Sequence, residues 1–280
     1  MRAPVAPHPA ISLAAFDGYP LEVALDEVAA LGATVVEPAY IRGYTAFDES
    51  TFTTAEAGRV RRLLAERGLS ARTVSAHMNL AEPDSDTMLA RRIVFAEALG
   101  TSILITNAGP ASERATIQKR IEASVPRLEM TNVCLALENP GHGLGDLVGR
   151  GHEGAAFVHA LDHPLVGLNL DVGNFLTYAA GLEPSLSEAR PYALSLHLKD
   201  VAGTTDWHFV GLGDGLLDLQ AVARVASNIP AAIELPLRLK RPGRGDPVRG
   251  TEAIPLPTIR PPTARRRKAP PGRWATRSCG

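Results

Sequence analysis

The chain alternates short apolar runs with longer segments in which apolar residues recur every three or four positions. The short runs are AISLAAF (10–16), TVVEPA (34–39), LSARTVSAH (69–77), TSILITN (101–107), NVCLALE (132–138), LVGLNLD (165–171), ALSLHLKD (193–200) and AAIELP (231–236). Each has the length and the aliphatic or β-branched content of a buried strand. Between them, LEVALDEVAALG, TAEAGRVRRLLAERG, DTMLARRIVFAEALG and ATIQKRIEASVPRLEM carry the spacing of amphipathic helices. Gly32, Gly68 and Gly100 close three of these segments directly before the next strand, where a left-handed helix cap is expected.

Strand and helix alternate without hairpin signals, which predicts a parallel sheet joined by right-handed crossovers. Eight such units predict an α/β fold of the (β/α)8 TIM barrel type, a single domain over residues 10–240 behind a short extension at 1–9. A doubly wound open sheet is the rival. It normally carries a glycine-rich loop after its first strand, and here that position reads FDGYP.

The pattern fails after the eighth strand, where an outer helix is due. Eight prolines fall between 242 and 271, no helical apolar period survives, and RRRK occupies 265–268. The last outer helix is therefore expected to be missing, replaced over 241–280 by a basic tail rich in Pro and Arg. Two readings fit this tail: a disordered segment, or translation of a GC-rich gene in a shifted frame. Either leaves apolar surface bare on the outside of strands eight and one, to be tolerated at a cost in stability or covered by a second subunit in a homodimer.

Charge follows the same division. The formal net charge is −1, but residues 237–280 carry +10 and residues 1–236 carry −11. Hydrophobic content of 45% and 21% charged residues exclude wholesale disorder. The only cysteines, Cys134 and Cys279, lack the spacing of a thiolate metal cluster, and Cys134 lies in an apolar run that reads as core. The amino terminus has prolines at 4, 7 and 9 and no apolar stretch of signal-peptide type, and no run reaches the ~20 residues of a membrane span. A cytoplasmic protein without a membrane partner is the expectation.

Four apolar runs end on groups that carry chemistry: Glu138, Asp171, His197 and Glu234 close the fifth to eighth strands. In a barrel of this kind the C-terminal strand ends converge on one rim, where active sites are built. Each of these residues alone has an ordinary structural explanation, but the recurrence in four consecutive units does not. Three carboxylates and an imidazole cannot share a pocket as uncompensated charges, and a divalent cation resolves the conflict. An oxygen-rich set with one nitrogen and no sulfur suits one Mn2+ best, with Mg2+, Co2+ or Zn2+ also compatible.

These residues resemble the xylose isomerase-like TIM barrels, a family of sugar and sugar-phosphate isomerases and epimerases that also includes, more distantly, endonucleases of the endonuclease IV type. The resemblance covers about residues 10–236 and rests on ALEN, NLDVGN, HLKD and IELP around the quartet. SAHMNLAEPD with His77, LGTSILITNAG, and DWHFVGLGDGLLD with Asp206 and His208 add to it. It implies a metal held by Glu138, Asp171, His197 and Glu234, and proton transfer by Glu138 and Glu234 through an enediolate. Lys199, His77, Asp206 and His208 would bind the substrate, a sugar or hydroxy-ketone.

The departures separate the family's two chemistries. Asn107 and Asn174 stand where the nuclease type has metal-binding histidines, and neutral amides replace imidazoles poorly. The negative charge of the barrel portion also disfavours a nucleic-acid partner, although the basic tail works in the opposite direction. A metal-dependent isomerase or epimerase is thus the first reading. An apurinic endonuclease is the alternative, and a non-catalytic barrel with a binding or regulatory role is a third.

Overall fold

The structure is a computed structural model, and it describes residues 9–16, 18–41, 47–141, 145–177, 181–203, 208–226 and 228–235. The extension at 1–8, the loop carrying His142, Asp206 and the basic tail lie outside the described residues.

All eight expected strands form. They are β1 (Ala10–Ser12), β2 (Val35–Glu37, resuming at Ala39–Tyr40), β3 (Ser70–Ala71, resuming at Thr73–Ala76), β4 (Ile103–Asn107), β5 (Cys134–Glu138), β6 (Val166–Asp171), β7 (Ala193–Leu198) and β8 (Ala231–Ile233). Every neighbouring pair is parallel, and the first segments of β2 and β3 pair with each other as do the second. With β1 bonded to both β2 and β8, the ring closes.

The expected boundaries shift for local reasons. β1 stops at Ser12, short of the predicted Phe16, where the Ser12 hydroxyl accepts the Ala14 amide and Leu13–Phe16 coil into a 3-10 turn. β7 stops at Leu198, and Asp200–Ala202 instead pairs antiparallel with His208–Val210 in a small hairpin. This hairpin was not expected.

Outside the ring lie α1 (Leu21–Ala30), α2 (Thr54–Glu66), α3 (Ser85–Leu99), α4 (Arg114–Thr131), α5 (Gly151–Leu161), α6 (Leu182–Ala189) and α7 (Leu219–Ala226). The glycines after the first three adopt φ of +78°, +66° and +88°, as left-handed caps require. Asn132 and Asp162 take the same conformation without a glycine after α4 and α5. Among the described residues, no helix is long and apolar enough to cross a membrane.

The period of two along each strand sorts the side chains between two environments. Outward residues such as Leu135, Leu137, Leu168 and Leu170 join Leu25, Ile93, Ile121 and Phe157 of the helices in one continuous core. Each fully buried aliphatic side chain there contributes roughly 1.5–3 kcal/mol. Cys134 and Ala136 share the other face of β5 with Glu138, and they pack with Ile103 and Ile105 in a separate small cluster. The interior is therefore apolar low in the barrel and polar at the C-terminal rim, which accounts for apolar runs that end on a charge.

Candidate metal centre

Glu138 and Asp171 are the last residues of β5 and β6, His197 is the penultimate residue of β7, and Glu234 directly follows β8. Parallel register brings Asp171 opposite His197 on the neighbouring strand. One ligand atom from each of the four lies within 4.8 Å of the other three, and all four residues are buried. The sequence-predicted quartet is thus assembled in one place.

Each member is held from behind. The Asn169 amide donates to Glu138 Oε2 at 2.9 Å and accepts from the Ser195 hydroxyl. Asn139 bridges the backbone of Asp171, accepting from its N–H at 2.8 Å and donating to its carbonyl at 3.0 Å. Asp171 Oδ1 in turn accepts the Asn174 backbone N–H and caps the helical turn Val172–Leu176. A Cβ at Gly173 would come within 2.6 Å of the Lys199 carbonyl, so glycine lets this turn lie against β7.

Charge is concentrated at the centre. His197 Nδ1 lies 3.0 Å from Glu138 Oε2 and 3.6 Å from Glu234 Oε2, and His77 Nε2 lies 3.4 Å from Glu138 Oε2. Lys199 Nζ sits 2.6 Å from both Asp171 Oδ2 and Glu234 Oε2. Burial alone would raise Glu138, but the charges and hydrogen bonds of His197 and His77 hold it well below the usual carboxylate range. Burial pushes Asp171 up to about 6; Lys199 opposes that rise, and the Glu138 and Glu234 charges add to it. Burial would lower His197 and Lys199, yet the surrounding carboxylates hold both well above their ordinary values.

The donors fit a divalent cation. Asp171 Oδ2, His197 Nδ1 and both oxygens of Glu234 are buried without a well-formed hydrogen bond, although buried polar atoms are rarely left so. Lys199 approaches two of these oxygens as an ion pair and stands in for a cation. A metal ion bound by Glu138, Asp171, His197 and Glu234 would satisfy the orphaned atoms together.

The remaining predicted residues separate. Lys199 belongs to the cluster itself, and the Phe209 ring lies 5.5 Å from its ammonium. His77 borders the cluster beside Glu138, on a chain pinned by Arg92 Nε to the preceding Ala76 carbonyl. His208 is exposed at the start of the second hairpin strand. Asp200, next to Lys199, is buried and accepts backbone N–H bonds from Val201, Gly213, Gly215 and Leu217, so its carboxylate shapes the glycine-rich loop.

Sequence reading missed Glu37, Asn139 and Asn169. Glu37 ends the first segment of β2 and bonds to His197, and its signal was available: TVVEPA, like ALENP, is an apolar run closed by Glu near a proline. Asn174, which the sequence presents as a replaced metal ligand, donates its amide to the Asn139 carbonyl at 2.9 Å.

A family model described as the xylose isomerase-like TIM barrel matches residues 25–239. Among solved structures, the D-psicose 3-epimerase of Clostridium cellulolyticum H10 with D-tagatose superposes with a TM-score of 0.67 at 15% identity, over 85% of this chain and 88% of that one. A xylose isomerase-like TIM barrel protein of Mycobacterium smegmatis in complex with magnesium gives 0.65 at 18% identity, over 81% and 90%. An IolI protein with a bound zinc atom gives 0.67 at 16%, over 83% and 90%. Identities this low bear on the fold alone, and no curated protein sequence matches. With the family model spanning most of its length, the chain belongs to the xylose isomerase-like TIM barrel family.

Proposed function

We propose that this protein is a divalent-metal-dependent isomerase or epimerase acting on a sugar, a sugar phosphate or a related hydroxy-ketone. The observation that carries the reading is the pair Glu138 and Glu234, both buried and both facing His197 Nδ1 within a set of donors that fits one cation. When bound, the ion, Mn2+ by preference, supplies Lewis-acid stabilisation to the enediolate of an α-hydroxy carbonyl substrate.

Asp171 and His197 chiefly hold the ion. Glu138 and Glu234 flank the substrate carbon, one taking its proton and the other returning a proton to the same or the neighbouring carbon. Glu138 is held ionised, as a base at neutral pH must be. Lys199, once drawn away from Asp171 and Glu234, offers its ammonium to a substrate oxygen, and His77 is placed to contact the substrate beside Glu138. Asp206 and His208 complete the proposed substrate contacts. The epimerase among the solved neighbours supports a small sugar as substrate.

The nuclease reading is weaker because the Asn174 amide is committed to the Asn139 carbonyl and is turned to backbone support. The deciding experiment is solvent deuterium incorporation into a panel of ketoses and hydroxy-ketones by Mn2+-loaded protein, run beside cleavage of an abasic-site duplex. Metal-dependent exchange into at least one ketose is expected. Duplex cleavage with no exchange would overturn the proposal.

A further inference from the structure

One buried carboxylate at the rim is left unused by the chemistry above. Glu37 is fully buried on the barrel interior, and its Oε1 lies 3.0 Å from His197 Nε2. Two hydroxyls fix it in turn: Thr73 Oγ1 donates to Oε2 at 2.6 Å and Ser75 Oγ donates to Oε1 at 3.0 Å. All three side chains come from β2 and β3, on the far side of the imidazole from the quartet.

The two nitrogens of His197 therefore meet different surroundings. Nε2 faces Glu37, while Nδ1 faces Glu138 and Glu234. A carboxylate behind Nε2 is a pure acceptor, so it fixes the hydrogen on Nε2 and leaves Nδ1 as the nitrogen presented to an ion. A fourth buried carboxylate beside three others is costly, and stability alone would be served better by an apolar residue in its place.

We propose that Glu37 is the positioning residue of the metal centre: it sets the tautomer and orientation of His197 so that Nδ1 is the ligating atom, with Thr73 and Ser75 holding Glu37 in place. The inference rests on the metal reading of the quartet and deepens it. Outer partners of ligating histidines commonly act in this way, and losing one weakens metal binding about 10–100-fold.

The test has two parts, both on the full-length chain. Long-range proton–nitrogen correlation spectra of the Zn2+-loaded, 15N-labelled protein report which His197 nitrogen carries hydrogen. Calorimetric titration with Mn2+ compares wild type, Glu37→Ala, Glu37→Gln and the Thr73→Val/Ser75→Ala pair, normalised to folded protein. The expected results are hydrogen on Nε2 and a dissociation constant raised about 10–100-fold in Glu37→Ala. Glu37→Gln, whose amide oxygen still accepts the Nε2 hydrogen, should lose clearly less, and the hydroxyl pair should fall between.

Metal on Nε2, an unchanged constant in Glu37→Ala, or Glu37→Gln as weak as Glu37→Ala would each overturn the proposal. Should Glu37→Ala not fold, the wild-type spectrum and the other variants decide. If wild type binds no ion, the metal reading falls as well. If wild type binds and every variant matches it, only the role of Glu37 falls.

Discussion

Lys199 is the sharpest point of attack on the electrostatics of this site. Its ammonium lies 2.6 Å from Asp171 Oδ2 and 2.6 Å from Glu234 Oε2, and it is almost fully buried. Replacing it with Met keeps the length and the apolar stem but removes the charge. Among the described residues, the quartet carboxylates of metal-free protein then keep the imidazoles of His197 and His77 as their nearby basic groups. Removing one partner of a buried ion pair costs about 3–5 kcal/mol. For a domain of this size each kcal/mol lowers Tm by roughly 2–4 °C, so a drop of roughly 6–20 °C is expected.

Mn2+ should reverse the deficit. An ion present at about 1,000 times its Kd adds about 4 kcal/mol. In wild type it must also draw an ammonium away from two carboxylates, whereas in Lys199→Met no competitor is present. The Mn2+-induced rise in Tm should therefore be larger in the variant. The assay is differential scanning calorimetry of EDTA-treated protein with and without Mn2+. A metal-free variant melting within about 2 °C of wild type, or equal rises in both, would refute the reasoning.

Other perturbations address other parts of the site. Glu138→Gln and Glu234→Gln should each abolish solvent proton exchange into substrate while weakening metal binding only partly; full exchange in either variant would remove that glutamate from its role. Metal affinity should increase with pH, because binding requires Asp171 ionised, near its value of about 6, and Nδ1 of His197 freed of its proton. A continued rise above pH 6 and a steeper one below it are expected, and calorimetry between pH 5.5 and 8 would contradict this with a flat profile. Asn139→Ala orphans the buried backbone N–H of Asp171, whose carbonyl keeps its bond within the helical turn it caps, and should cost about 1–3 kcal/mol, read by urea denaturation.

The barrel and its quartet were legible because both depend on local pattern. Apolar runs between capped helices define the strands, and a charged residue at the end of each of four successive runs marks the rim. The remainder depends on how the ring closes. Glu37 meets His197 from 160 positions away, and although its run closes on Glu near a proline as that of Glu138 does, nothing local shows which strand end it will face. Lys199 follows His197 by two residues and shares its face, but only closure of β8 against β7 places its ammonium between Asp171 and Glu234. The hairpin after β7 was missed because Asp200 reads as one more polar strand end, while its carboxylate gathers four backbone N–H groups into a turn.

The central claim is that Glu138, Asp171, His197 and Glu234 hold one divalent ion. Elemental analysis of the purified protein after reconstitution with Mn2+ and removal of excess tests it most directly, alongside His197→Ala. The account predicts one ion per chain in wild type and loss of that ion in the variant. A wild type without metal, or a variant that retains it at equal stoichiometry, would contradict it.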